Sequence, residues 1–261
     1  MQDASLTTMA LTIVGIDLLR YLIAAGTVWL LVSVLLRRRL HKRHILDGKL
    51  KPGQVRDELI YSMSTVLIFA ASGVMLWLLA TSRRVRIYDD VAEQGWIWWW
   101  ASLVLIVLAH DTYFYWTHRL LHFPRWFRNI HARHHASVHP TPWAAYSFHP
   151  VDAFVQALFL PLFVVLVPTH GTVIAIFLIH MVVRNCIGHC AHELLPWRWT
   201  PRGWLRWETP VTHHHFHHAR NRGNFGLYFT WWDRWCGTED AEYLRYGDSR
   251  FIAIEHPRAV A

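Results

Sequence analysis

Five apolar runs constrain the fold of this chain more than any other feature of its sequence. Residues 18–36, 59–80 and 96–116 are each long enough for a helix to cross about 30 Å of hydrocarbon. Residues 151–167 and 172–183 are shorter, so they predict either a tilted helical hairpin or a re-entrant pair. We therefore expect an all-α, integral membrane helical bundle of four to five membrane helices or hairpins.

Basic and aromatic residues at the ends of these runs predict their orientation. Residues 37–57 contain eight Lys and Arg, which places this segment on the cytoplasmic side. Four Trp at the start of the third run are typical of the outer interface, so its other end emerges into the cytoplasm. The hairpin returns the chain to the same side. We expect a multi-pass membrane protein with its active site in the cytoplasm, in a bacterial inner membrane rather than the endoplasmic reticulum.

The formal charge of +8 does not indicate a nucleic-acid partner. The basic residues lie beside apolar spans, and no basic motif with base-reading side chains occurs. The charge instead suits the cytoplasmic leaflet and an acidic partner. The three cysteines, which lack CxxC spacing, are expected to be reduced thiols.

Histidine is concentrated in the middle of the chain, where seventeen of the twenty lie between His110 and His218. Nine of them have ligand-like spacing: His118 and His122 (HxxxH), His131, His134 and His135 (HxxHH), the isolated His189, and His214, His217 and His218 (HxxHH). On a helix of about 3.6 residues per turn, positions i, i+3 and i+4 share one face. Nine imidazoles exceed the needs of one tetrahedral zinc, so two neighbouring metals are expected; ligand type alone leaves zinc, iron, copper and nickel open.

Four stretches that contain these histidines resemble a known superfamily. They are HDTYFYWTHRLLH, HARHHASVHPTPWAAYSFHP, RNCIGHCAHEL and THHHFHHARNRGNFGLYFTWWDRWCGT. In spacing, order and flanking residues they are similar to the fatty acid hydroxylase and sterol desaturase superfamily of membrane di-iron enzymes. The resemblance covers residues 111–238. We expect residues 1–110 to form N-terminal transmembrane helices, and 111–261 a histidine-motif catalytic region continuous with them.

The resemblance implies a function and a set of ligands. The nine histidines would hold two iron ions per chain in a histidine-rich helical cap. With O2 as co-substrate, the enzyme would hydroxylate or desaturate an unactivated C–H of a fatty acyl, sterol or sphingoid-type lipid. Because the sequence shows no electron-transfer module, the electrons would come from an external donor of cytochrome b5 or ferredoxin type. The alternatives are a membrane zinc-dependent hydrolase and a metal transporter, which would need ligands within the spans.

Two further polar residues are expected near the metals. Asp111 lies two helical turns before His118, and it would either accept an imidazole N–H or form an ion pair with Arg184. Asn185 lies one turn before His189 and would hold a water or tune a ligand. The sequence leaves open whether His110, His149, His192, His213 or His215 joins the metal shell, and we expect His213 to contact a ligand or Glu208.

Overall fold

Four long apolar helices form the framework of the computed structural model, which describes residues 5–45 and 48–252. They are α1 (Leu6–Trp29, continued by a π-helical segment, Leu30–Leu35), α3 (Gln54–Thr81), α4 (Gly95–Leu121) and α8 (Gly171–Gly188). By length and composition each could cross a membrane. The expected all-α membrane bundle is confirmed.

The helices α1 and α4 are longer than the apolar runs that predict them. α1 begins at Leu6 rather than residue 18, because the Ser5 hydroxyl caps its first turn and Asp17 is paired with Arg20 at 2.7 Å. α4 continues past residue 116 to Leu121 and crosses residues 110 and 111 without a break. The end of α4 therefore positions histidines directly.

The two shorter runs differ from each other. The first forms α6 (Pro150–Ala157) and α7 (Phe159–Leu166), which together are too short to span a membrane. The second is longer than predicted and forms α8. Between them β2 (Thr169–His170) pairs in parallel with β1 (Ile87–Tyr88), which precedes α4. This small sheet joins two loops at the end of the bundle remote from the histidine motifs.

Short helices form a cap at the other end, where α4 and α8 terminate. They are α2 (Arg37–Leu40), α5 (Pro124–Asn129), α9 (Val211–Arg220), α10 (Trp231–Trp235) and α11 (Ala241–Gly247), with 3-10 segments at His131–Ala136 and Pro142–Tyr146. The cap is tied to the chain after α2 by bonds from Ile45 N–H to the Ala191 carbonyl and from Glu193 N–H to the Arg43 carbonyl. The expected histidine-rich helical region is therefore present, although the first HxxHH motif is 3-10 rather than α-helical.

Packing leaves one side of the spans apolar and exposed. Ile106, Phe163 and Phe177 are buried between α4, α7 and α8. In contrast, Ile97 and Leu166 are 89% and 80% exposed. Large apolar side chains in such numbers on the outside suit contact with lipid.

Candidate metal centre

The structure brings all nine predicted ligands together in two groups. One contains His118, His122, His131, His135 and His217, and the other contains His134, His189, His214 and His218. Within each group the candidate ligand atoms lie within 4.8 Å of one another. The groups adjoin, because the rings of His135 and His218 are 4.7 Å apart. This separation suits two neighbouring metal ions.

Most of these imidazoles are oriented by a hydrogen bond at Nδ1. The Nδ1 atoms of His118, His122, His189, His217 and His218 lie 2.7–3.2 Å from the backbone carbonyls of Phe225, Asn221, Asn185, Gly223 and Ser137 respectively. A carbonyl can only accept, so each Nδ1 donates and each Nε2 keeps its lone pair. A neutral imidazole in this tautomer is ready to bind a metal through Nε2.

The Nε2 atoms point at one another, as they would around a metal ion. His118 and His131 have their Nε2 atoms 3.0 Å apart, although both Nδ1 atoms already have acceptors. Nε2 of His189 lies 3.2 Å from Nε2 of His214. Two nitrogens about 2.1 Å from one ion and at a right angle would be about 3.0 Å apart. The donor set therefore fits metal ions.

Burial keeps these imidazoles neutral. It lowers the pKa of His122 to about 2 and that of His189 to about 4, with neighbouring imidazoles adding to the effect at His122. Burial, followed by the surrounding histidines, also lowers the pKa of His134, His214 and His218 well below its usual value. At neutral pH the lone pairs are therefore available.

One carboxylate contacts a candidate ligand directly, and it is Asp152. Its Oδ2 accepts from Nδ1 of His131 at 2.7 Å, and the side chain is fully buried. Sequence reasoning did not assign this role. The signal was present, since Asp152 follows the FHP sequence, but its distance of 21 residues from His131 hid the contact.

Both contacts predicted for Asp111 are wrong. Its Oδ1 accepts the backbone N–H groups of Tyr228 and Phe229, at 2.8 and 3.2 Å. Arg184 instead pairs with Glu208 at 2.8 Å. Asp111 therefore anchors the loop after α9 to the middle of α4.

Asp233 anchors the same loop closer to the grouped histidines. It accepts the N–H groups of Phe225 and Gly226 at 2.9 and 2.8 Å, and the Thr238 hydroxyl at 2.7 Å. The carbonyls of Gly223 and Phe225 in this loop orient His217 and His118. Asp233 thus positions the backbone that positions two imidazoles.

Two buried glutamates that sequence reasoning missed have similar roles. Glu58 on α3 accepts from Ser137 at 2.7 Å and from Thr141. Ser137 in turn presents its carbonyl to His218. Glu193 accepts both the N–H and the hydroxyl of Thr212, which fixes the first turn of α9.

Asn185 acts through a different atom from the one expected. Its side-chain amide donates to the Ala145 carbonyl at 2.6 Å, whereas its backbone carbonyl accepts from Nδ1 of His189 at 2.7 Å. The amide therefore fastens α8 to the Pro142–Tyr146 segment. The group that orients the His189 imidazole is the backbone carbonyl of Asn185 and not its side chain.

None of the five histidines left open belongs to either group among the described residues. His110 contacts the Tyr228 hydroxyl, His149 caps α6, and His192 bonds to the Cys190 carbonyl. His213 lies 3.4 Å from Asp233, not at the predicted Glu208. His215 is fully buried and packs against His139, with ring centroids 5.6 Å apart.

Comparison with known proteins agrees with this site. A sequence profile described as fatty acid hydroxylase matches residues 103–238, just over half of the chain. A Delta(7)-sterol 5(6)-desaturase of Gibberella zeae is 30% identical over 72% of this chain and 57% of its own length. A second one, from Aspergillus fumigatus, is 31% identical over 73% and 64%, and lathosterol oxidase of Mus musculus is 31% identical over 71% and 61%.

The matched part is thus less than two thirds of each of these relatives. No solved structure matches the chain. The three relatives come from fungi and a mammal, so they do not support the expectation of a bacterial inner membrane.

Proposed function

This chain belongs to the fatty acid hydroxylase family, and we propose that it is a membrane-bound di-iron enzyme that uses dioxygen to hydroxylate or desaturate a lipid. One observation supports this most strongly. Nine imidazoles, eight of them buried, form two adjoining groups, and six have Nδ1 bonded to an acceptor so that Nε2 faces its neighbours. Side chains without a metal role do not need this arrangement.

Each group of histidines would hold one iron ion. When bound, the two ions would supply the activation of dioxygen that attack on an unactivated C–H requires. The protein contributes position and environment. Asp152 and five backbone carbonyls fix the orientation of the imidazole rings. Eight of the nine histidines are buried and His122 is partly exposed, so the site limits the access of water.

The alternatives explain fewer observations. A zinc hydrolase needs one metal with an open position, for which nine imidazoles are too many. A transporter needs ligands along its spans, but the histidines grouped here lie at the ends of α4 and α8 and in the cap. His110 and His180, which do lie within spans, belong to neither group.

The substrate would be a fatty acyl, sterol or sphingoid-type lipid taken from the bilayer. The names of the relatives favour a sterol. The metal centre would face the cytoplasm, since the basic segment of residues 37–57 and the histidine cap lie at the same end of the bundle. Asp111 and Asn185 would act as positioning residues through the contacts described above.

Electrons would come from an external acidic donor, of cytochrome b5 or ferredoxin type. A groove beside the two histidine groups, lined by Arg220, Arg222, Arg245 and one acidic residue, Glu242, offers a net basic surface for it, although Glu242 pairs with Arg220. The groove is adjacent to the metals, because Asn221 and Gly223 present their carbonyls to His122 and His217. Rates of reduction that fall with rising salt would fit this surface, whereas salt-independent rates would argue against it.

The proposed function is tested by metal analysis and lipid profiling. Protein from iron-replete cells should contain about two irons per chain, because nine imidazoles exceed the needs of one centre. Host lipids made with the gene, but not without it, should show a gain of one oxygen or a loss of two hydrogens that requires O2. One zinc with no iron, or products formed equally without O2, would overturn the proposal.

A further inference from the structure

A cavity lies among α1, α3, α4, α8 and the α6–α7 pair, in the middle of the bundle. Its empty volume is about 850 Å³, including the part that is open to the outside. The wall is mainly apolar, with Phe69, Phe159 and Phe177 among its side chains. Ile16 also lines it and is 55% exposed, so the cavity opens at the outer face of α1. Lipid-sized molecules are held in cavities of this size and character.

Charged and amide side chains interrupt this apolar wall. Asp17 and Arg20 form an ion pair of 2.7 Å, and both line the cavity, as does Gln156. Ionisable residues within a membrane span are costly and usually mark a functional site. Both residues of the pair lie on α1, outside the segment that matches the family profile. They are therefore candidates for residues that give this chain a substrate preference different from that of other family members.

The cavity adjoins the candidate metal centre through Gln156. Gln156 Nε2 lies 3.5 Å from Oδ1 of Asp152, whose other oxygen accepts from His131. Gln156 Oε1 is buried and has no hydrogen-bond partner, and the same is true of Nε of Arg20. A ligand in the cavity would meet hydrogen-bonding capacity that the protein itself does not use.

The charges on the cavity wall select the kind of group that binds. Asp17 and Arg20 together carry no net charge, and they offer both an acceptor and a donor. A hydroxyl both donates and accepts, so it matches the pair. A carboxylate would gain Arg20 but would be repelled by Asp17.

We propose that Asp17, Arg20 and Gln156 bind the hydroxyl group of a neutral lipid substrate within this cavity. The proposal rests on the proposed function, since it makes this lipid the molecule that the metal centre oxidises. It narrows the substrate class from acyl chains and lipid alcohols in general to neutral lipids with a free hydroxyl. The three residues determine specificity and do not touch the metals.

Binding to the full chain in lipid nanodiscs tests the proposal without any turnover. The probes are lathosterol and its 3-O-methyl ether, octadecan-1-ol and its methyl ether, and octadecanoate. We expect the free alcohol of at least one pair to bind about tenfold more tightly than its ether, as loss of one well-placed hydrogen bond would cause. Octadecanoate should bind more weakly than that alcohol.

Removing Arg20 alone would leave Asp17 buried without a partner, so the main variant is the double change Asp17→Leu with Arg20→Met. It should lose most of the preference for alcohol over ether while its iron content stays at the wild-type level. Gln156→Leu should reduce the preference by several fold. Ser72→Ala is the matched control: Ser72 also lines the cavity, but its hydroxyl already donates to the Ala157 carbonyl, so the preference should be unchanged.

No preference for either alcohol in the wild type, tighter binding of octadecanoate, or an unchanged preference in the double variant would each overturn the proposal. These outcomes are separate from failure of the proposed function. If the chain has two irons and oxygen-dependent products but no alcohol preference, only the proposed hydroxyl site is overturned. If it has the alcohol preference but no iron, only the proposed di-iron chemistry is overturned.

Discussion

Replacing Asp152 should loosen one metal ion and leave the other in place. Asp152 contacts only one candidate ligand, His131, which belongs to the five-histidine group. The contact is a buried, charge-assisted hydrogen bond of 2.7 Å. Bonds of this kind contribute about 1.5–3 kcal/mol, and about 1.4 kcal/mol corresponds to a factor of ten. Asp152→Ala should therefore weaken iron binding in that group by about 10–100-fold, in the range usual for residues that orient a ligand.

The amide of Asp152→Asn can still accept from His131, but without charge. Neutral hydrogen bonds are roughly half as strong as charge-assisted ones, so this variant should lose about tenfold or less. The measurement is iron content after dialysis against graded chelator concentrations, alongside turnover of the host lipid. We expect a step from about two irons to about one, at a lower chelator concentration than in the wild type.

Asp57→Asn is the matched control, because Asp57 is 49% exposed and its carboxylate pairs with Arg56 at 3.8 Å rather than with a histidine. It should titrate like the wild type. The reasoning is refuted if Asp152→Ala keeps both irons at wild-type chelator concentrations, or if both irons leave the folded variant together. Gel filtration of each variant shows whether the chain is folded when the iron is counted.

Three further predictions concern the other histidines, the topology and the effect of metal removal. His215→Asn should keep two irons and most of the activity, whereas His217→Ala should lose iron, because only His217 faces the ligand atoms of a group; iron analysis reporting the reverse would contradict the arrangement of α9. Reporter fusions at Lys49, Val138 and Ala219 should give cytoplasmic signals, and a fusion at Asp89 should give an external one. Signals that place Val138 and Asp89 on the same side would refute this topology. Removing iron should lower the melting temperature, since an ion at a thousandfold above its Kd stabilises the folded state by about 4 kcal/mol; equal melting temperatures with and without iron would show that the site binds none.

The spans and the grouping of the candidate ligand residues could be predicted because each depends on local sequence. A membrane helix needs a sufficient length of apolar residues, and imidazoles that share a metal on one helix need spacing of three or four. The ends of helices were less predictable. Residues 6–17 include Thr and Asp, so they do not belong to the first apolar run. They are nevertheless helical, because Ser5 caps the first turn and Arg20 forms an ion pair with Asp17.

The partners of the imidazoles could not be predicted, because they are mostly main-chain atoms from distant segments. The carbonyl that orients His118 belongs to Phe225, 107 residues later, and that of His218 belongs to Ser137, 81 residues earlier. Every residue has a carbonyl, so residue type offers no signal for such a contact. Asp111 was misassigned for the same reason, since its partners are two backbone N–H groups 117 and 118 residues away.

The two HxxHH motifs show why spacing identified the candidate ligands but not their division between the two groups. In each motif the first and last histidines share a group and the middle one joins the other group: His131 and His135 are separated from His134, and His214 and His218 from His217. The assignments are reciprocal, because the pair from one motif joins the middle histidine of the other. On α9, His214 and His218 (i and i+4) point in directions that differ by about 40° around the helix axis. His217 (i+3) points about 60° to the other side of His214, so the helical backbone itself directs the middle ring toward the second group. Neither ion would then depend on a single segment, and folding of the cap and assembly of the metal centre become one process.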